Sequence, residues 1–153
     1  MPNWCVGTLK LRGKKKDLER FILEGLQPVN QWGEDLPKLK PAIKGKVFVC
    51  SSNEDCYIPY SYRGFIEKPD FELYGTKEEI NTILVSARFA DHINADRLLK
   101  FCKEYHLDMN IFSFEGELQF NQIVEIIDGE IKTNECFTYD DYLWDCPCPT
   151  LGG

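Results

Sequence analysis

At 153 residues, 43% hydrophobic and 13% aromatic, the chain has enough apolar material for one domain with a real core and too much for a disordered segment. Its formal net charge of −7 disfavours contact with a nucleic-acid backbone and favours a basic protein surface. No run approaches the ~20 apolar residues of a membrane helix, and Lys10 and Arg12 break the first apolar stretch as no signal peptide would, so the expected location is the cytoplasm.

Trp4 to Arg12 reads as a strand, with Cys5, Gly7, Leu9 and Leu11 on one face and Val6, Thr8, Lys10 and Arg12 on the other. Gly13 ends it. Lys15 to Leu26 reads as a helix, because Leu18, Phe21, Ile22 and Leu26 form an apolar stripe at helical spacing, and Pro28 stops it. Residues 28–69 carry five prolines and no sustained period. They read as an irregular insertion, with a short strand over Lys46 to Cys50 and a tyrosine-rich stretch from Cys56 to Tyr62. Regular structure is expected again from Asp70 to Tyr74, a short strand, and Gly75-Thr76 turns the chain. Ile80 to Phe89 alternates as a strand. Asn94 is placed to cap a helix from Ala95 to His106. Strands are expected over Leu107 to Glu115 and Leu118 to Ile127, and Asp128-Gly129 signals a hairpin into Glu130 to Lys132.

This order predicts an α+β fold: a mostly antiparallel sheet with two helices on one face, an irregular insertion and a cysteine-rich C-terminal tail. It is one domain over 1–153, with its core in 3–27 and 70–132, the insertion at 28–69 and the tail at 133–153.

The start Asn3-Trp4-Cys5, the strand ending at Gly13 and the helix after it resemble the Api92-like ferredoxin-fold proteins of phages, plasmids and mobile elements. Those proteins often carry a Trp-Gly-Thr-Lys-Trp segment, and Tyr74-Gly75-Thr76-Lys77 is similar to it. Phe114-Glu115-Gly116 and Asp128-Gly129 fall where the family has a Gly-interrupted strand pair and a tight turn. The resemblance spans roughly 3–27 and 70–132. It departs at Gly7, where the family usually has Asn, at Tyr74 in place of Trp, and at Glu78 in place of the second Trp. The insertion and tail have no counterpart. What it implies is a ferredoxin-like fold and a bacterial mobile-element setting, with no catalytic residues to carry over.

Seven cysteines are many for this length, and in a reducing cytoplasm an odd number does not read as a disulfide framework. Cys50 and Cys56 in the insertion, with Cys146 and Cys148 in the tail, are candidate ligands of one structural Zn2+. Cys136 is a spare ligand, and His92 or His106 a poorer one. The other reading is free or buried thiols, and core packing is the better reading for Cys5 and Cys102. A cysteine nucleophile needs a partnered base, and the two histidines flank one helix at opposite ends. Lys14-Lys15-Lys16 is a short basic cluster that suits phosphate, but it sits beside Asp17 and Glu19.

Charge is unevenly spread. Residues 1–46 hold ten Lys/Arg against five Asp/Glu, whereas residues 47–153 hold eight against twenty. No basic residue occurs from Asn134 to Gly153. There Tyr139, Asp140, Asp141, Tyr142 and Trp144 alternate aromatic and acidic groups, a pattern suited to a basic protein surface, with Glu54 and Asp55 as secondary contacts. The aromatics folding back onto the sheet is the ordinary alternative. In the mobile-element setting that the resemblance implies, the expected function is non-enzymatic: an anti-CRISPR inhibitor, a step taken from that context rather than from particular residues. It would bind a basic, nucleic-acid-handling host protein such as a Cas9-type effector and block nucleic-acid loading, with no direct nucleic-acid or membrane contact of its own. The alternatives are an accessory protein-binding module unrelated to defence and, further off, a cysteine-dependent enzyme.

Overall fold

The computed structural model describes all 153 residues, Met1 to Gly153. The long first strand, β1 (Trp4–Lys14), is followed by a short helix, α1 (Lys15–Arg20), and one π-helical turn (Phe21–Gly25). Four short strands come next: β2 (Gln27–Pro28), β3 (Ala42–Lys44), β4 (Val47–Ser51) and β5 (Cys56–Tyr57). Then follow β6 (Gly64–Ile66), β7 (Asp70–Leu73), β8 (Ile80–Ala90) and the helix α2 (Ala95–Tyr105). The chain closes with β9 (Asp108–Glu115), β10 (Phe120–Ile127), β11 (Glu130–Thr138) and a one-turn helix, α3 (Tyr142–Asp145). No helix is long and apolar enough to cross a membrane.

Eight strands form one sheet in the order β11-β10-β9-β1-β8-β6-β5-β2, and every neighbouring pair is antiparallel. The mixed α and β architecture and the antiparallel sheet agree with the sequence reading. A third helix, α3, and a second sheet, β3-β4-β7, were not expected.

Period-2 alternation places the core. From β1, Cys5, Leu9 and Leu11 are buried, and from β8, Ile83, Val85, Ala87 and Phe89. From β9 and β10 come Met109, Ile111, Val124 and Ile126. Leu18, Phe21 and Ile22 cover this face from α1 and its π turn, and Leu98, Phe101 and Cys102 from α2. The helices meet through aromatic edges: Phe21 lies 5.0 Å from Phe101 and 5.7 Å from Tyr105, ring centre to ring centre. The π turn closes on a bond from the Leu26 N–H to the Phe21 carbonyl (2.9 Å). A Cβ on Gly25 would stand 2.8 Å from the Tyr105 ring, so the turn has no room for a side chain there.

The helix ends follow from capping. Asn94 Oδ1 accepts the Arg97 N–H (3.1 Å) at the start of α2, as expected, and His106 ends it in the left-handed region at φ 53°. α1 has no side-chain cap. Its first N–H groups instead donate to backbone carbonyls, Lys15 to Glu79 (2.8 Å) and Lys16 to Lys77 (3.0 Å).

The segment 28–69 is not the irregular insertion expected from its prolines. β5 and β6 extend the main sheet beyond β8, while β3 and β4 pair with β7 in the small sheet. Strands of two to five residues, interrupted by proline, are too short for period-2 alternation to show. The Phe101→Ala variant empties the aromatic contact between the helices and is expected to cost about 3–5 kcal/mol, read as a lower urea midpoint at unchanged m-value.

Candidate functional site

The tail turns back over the end of β9 and β10 through one hub residue, the fully buried Asn121 of β10. Its Oδ1 accepts the Tyr139 hydroxyl (2.5 Å) and the Cys146 thiol (3.5 Å), and its Nδ2 donates to the Ser113 carbonyl (3.2 Å). Next to it, Gln122 takes the Ile93 N–H and donates to the Ile93 carbonyl, both at 2.9 Å, tying β10 to the start of α2. The buried Glu115 carboxylate accepts the Glu117 N–H (3.1 Å) and the Leu118 N–H (2.5 Å), which shapes the β9–β10 turn. Further along, Gly152 at φ 81° lies so close to the sheet that a Cβ would stand 2.3 Å from the Phe114 carbonyl oxygen. The Gly153 N–H donates to the Trp4 carbonyl (2.9 Å). The tail thus forms a strap from the β11 edge to the start of β1.

This strap sorts the expected contact residues. Tyr142 is buried against Tyr139, with ring centres 5.7 Å apart. Its hydroxyl, beside the Cys146 thiol, makes no hydrogen bond, and burial raises its pKa above the ordinary phenol value. Tyr139 is held by Asn121. Both aromatics belong to the fold rather than to a free surface. Asp141 caps α3 by accepting the Trp144 N–H (3.3 Å). Asp140 and Asp145 are exposed, Trp144 is 85% exposed and Leu143 71%. Leu143 was not among the expected contacts. Its exposure follows from the single turn of α3, which can bury only Tyr142. Beside them β11 forms the free edge of the eight-stranded sheet, with Glu135 and Cys136 exposed and Glu130, at its far end, paired with Lys132 (2.7 Å). Together these groups make an acidic rim with one large aromatic on it.

Glu54 and Asp55 lie elsewhere, at the β5 end of the sheet. Asp55 pairs with Arg88 (2.7 Å), and Glu54 is exposed. The Lys14-Lys15-Lys16 cluster is spent within the fold. Lys14 and Lys16 clasp Glu78 at 2.7 and 2.6 Å, holding its carboxyl down at about 2, and the buried Lys15 Nζ donates to the carbonyls of Lys46 and Gly75, each 2.9 Å away.

The four cysteines expected to share a zinc are not gathered. Cys50 and Cys56 are near neighbours in β4 and β5. Cys146 bonds to Asn121 in β10, five strand positions from β5, roughly 24 Å along the sheet at ~4.8 Å per strand. Cys148 is exposed. No group of three or more His, Cys, Asp or Glu side chains is arranged to hold a metal ion. All seven cysteines are free thiols. Burial pushes Cys5 and Cys56 up to about 11 and Cys102 to about 12, which disfavours the nucleophilic thiolate. The bonds made by Cys5, Cys50, Cys56 and Cys146 run to Ser113, to the carbonyls of Lys40 and Glu54, and to Asn121, with no histidine among them.

In the folded protein at pH 8, a thiol reagent is expected to modify Cys136 and Cys148 promptly and the five buried thiols only on unfolding. The Asn121→Ala variant removes the hub of the strap and should make Cys146 a third fast-reacting thiol, counted by mass spectrometry of the labelled protein. The chain matches no protein-family model, no curated protein and no solved structure.

Proposed function

We propose that this protein is a non-enzymatic binding module that docks a basic surface of a nucleic-acid-handling protein through the β11–α3 rim and occludes it. The specific reading is an inhibitor carried by a mobile element and directed at a CRISPR effector of the Cas9 type. The observation that carries the docking surface is Trp144, 85% exposed on a one-turn helix among Asp140, Asp141 and Asp145. An indole left in water forgoes the free energy of burial, and tryptophan is the side chain that most often anchors an interface when a partner covers it. No Lys or Arg lies between Asn134 and Gly153 to neutralise the acids, so the rim attracts and orients a Lys/Arg-rich surface. The free β11 edge adds a row of unpaired backbone groups that a partner strand could extend.

The mobile-element setting rests on the resemblance to Api92-like proteins, and the strand order supports a ferredoxin-like reading. Within the main sheet β9-β1-β8-β6 are consecutive, with α1 between β1 and β6 in the chain and α2 between β8 and β9. That is the order of a split βαβ pair, to which β10, β11, β5 and β2 add strands at both edges.

The test is target cleavage by a purified Cas9–guide complex with the protein added before guide or before DNA. Cleavage is expected to fall with near-stoichiometric addition, and full cleavage at large molar excess would reject this target. Trp144→Ala should weaken binding by about 2 kcal/mol, roughly thirtyfold in Kd. Asp140→Asn with Asp145→Asn should flatten the salt dependence. Asp141 is left in place because it caps α3. Unchanged affinity in both variants would mean that the rim is not the contact.

A further inference from the structure

Far from the rim, where β1, β8 and β6 meet, a cleft of about 500 Å³ opens between the outer corner of the main sheet and the loop after β2. One wall is built on Arg88 of β8. Its guanidinium sits 5.0 Å from the Trp4 ring centre and 5.2 Å from that of Phe65, and it is fixed by Asp55 (2.7 Å) and Glu67 (3.0 Å). The facing wall is the loop 29–35, which its own bonds hold. Asn30 Oδ1 accepts the N–H groups of Trp32 (2.9 Å) and Glu34 (3.0 Å), and the Gly33 N–H returns to the Asn30 carbonyl (2.9 Å). The Val29 N–H bonds to the Asp55 carbonyl (2.9 Å), so the same segment anchors both walls. At the tip of this braced loop Trp32 lines the cleft and is 79% exposed.

Two cations stand at this cleft without a carboxylate partner. Arg63 lies 5.8 Å from the Trp4 ring centre, and Lys68 follows β6; neither forms an ion pair. They line it together with the unstacked indole of Trp32 and with Glu54. A flat aromatic face together with two unpaired positive charges, in a cleft of small-ligand size, matches a base joined to a phosphate. The acidic body and Glu54 at the cleft disfavour a long polyanion and leave room for a single nucleotide.

We infer that this cleft binds a nucleoside phosphate, its base stacked on Trp32 and its phosphate held by Arg63 and Lys68. The site is independent of the rim and of the proposed partner. The phosphate chemistry is shared by a free nucleotide and by the 5′ end of a short strand, and the experiment separates the two.

Calorimetric titration of the full chain uses AMP and GMP, adenosine alone, inorganic phosphate and a 5′-phosphorylated pentanucleotide. Saturable binding of a nucleotide is expected, with adenosine and phosphate each weaker by about tenfold or more, because each engages only one half of the site. Trp32→Ala and Arg63→Gln should each weaken it by about tenfold, with Trp144→Ala as an unaffected control. Trp32 is exposed, so its removal leaves the fold intact, and circular dichroism checks this. A pentanucleotide that binds more tightly than AMP assigns the strand end as the source, and one that binds equally or less assigns the free nucleotide. The proposal is overturned if no nucleotide and no pentanucleotide binds up to millimolar concentration. It is equally overturned if Trp32→Ala binds as the unaltered chain does, or if phosphate alone binds as tightly as AMP.

Discussion

The pairing of β1 on both sides holds the molecule together. β1 runs beside β8 from Trp4 to Lys14, with Ala90 opposite Trp4 and Ile80 opposite Lys14, and beside β9 from Val6 to Arg12. This pairing satisfies the backbone of the central strand and fixes its register, and the register decides which side chains are buried. A one-residue slip would turn Cys5, Leu9 and Leu11 to solvent and bring Lys10 and Arg12 under the helices. Two contacts hold the register at its ends. A Cβ on Gly7 would stand 2.4 Å from the Phe112 carbonyl oxygen, so this close approach to β9 requires glycine. At the far end Arg12 pairs with Asp108 at 2.8 Å.

The same strand places both candidate surfaces. Its inward residues take the helices, leaving the outward face of the sheet without a helical cover, and Leu84 there is 60% exposed. Trp4, an outward residue at the start of β1, becomes part of the cleft wall, and its carbonyl receives the Gly153 N–H from the strap. The lysine clasp acts on the other side. Lys15, buried and bonded only to carbonyls, joins α1 to the small sheet, while Lys14 and Lys16 hold the 75–79 turn through Glu78. The pairs with Glu78 are exposed and contribute little by themselves. The burial of Lys15 is the stronger constraint, because its ammonium must keep both carbonyls or lose its solvation.

Long elements were legible in the sequence because their periods are long. β1, β8, β9 and α2 each repeat an apolar interval several times, and Asn94 announces its helix. β2, β3, β5 and β6 contain no such repeat, since two or three residues cannot show one. The sequence pattern ends this strand at Lys132, but β11 runs to Thr138, because its exposed edge carries polar groups on both faces. The tail aromatics form one pattern in the sequence, yet Tyr139 and Tyr142 pack inward and Trp144 and Leu143 point out. That division depends on Asn121, a residue eighteen positions before Tyr139, which no local pattern connects to the tail. The cysteine spacing carried no information about distance between strands either. Cys56 and Cys146 are both buried, each satisfied by its own surroundings at separate places in the sheet.

The segregation of charge takes a different form in space from the one it has along the chain. In sequence the basic residues cluster before residue 46, but Lys14 and Lys16 are spent on Glu78 and Lys15 and Lys38 on carbonyls. Arg63 and Lys68, which line their cleft without an ion pair, lie in the acidic part of the sequence. Arg88 shows why composition hides this. It is engaged by Asp55 and Glu67, so these two acids are held by Arg88 rather than by Arg63 or Lys68, and Glu54 is the unpaired acid lining the same cleft. At the β11–α3 end Lys132 pairs with Glu130 (2.7 Å), whereas Asp140 and Asp145 form no ion pair. A fold that pairs Asp55 and Glu67 internally at one end and leaves Asp140 and Asp145 unpaired at the other presents two electrostatic faces from one acidic chain. A basic protein surface at the rim and a phosphate at the cleft are the ligands proposed for those two faces.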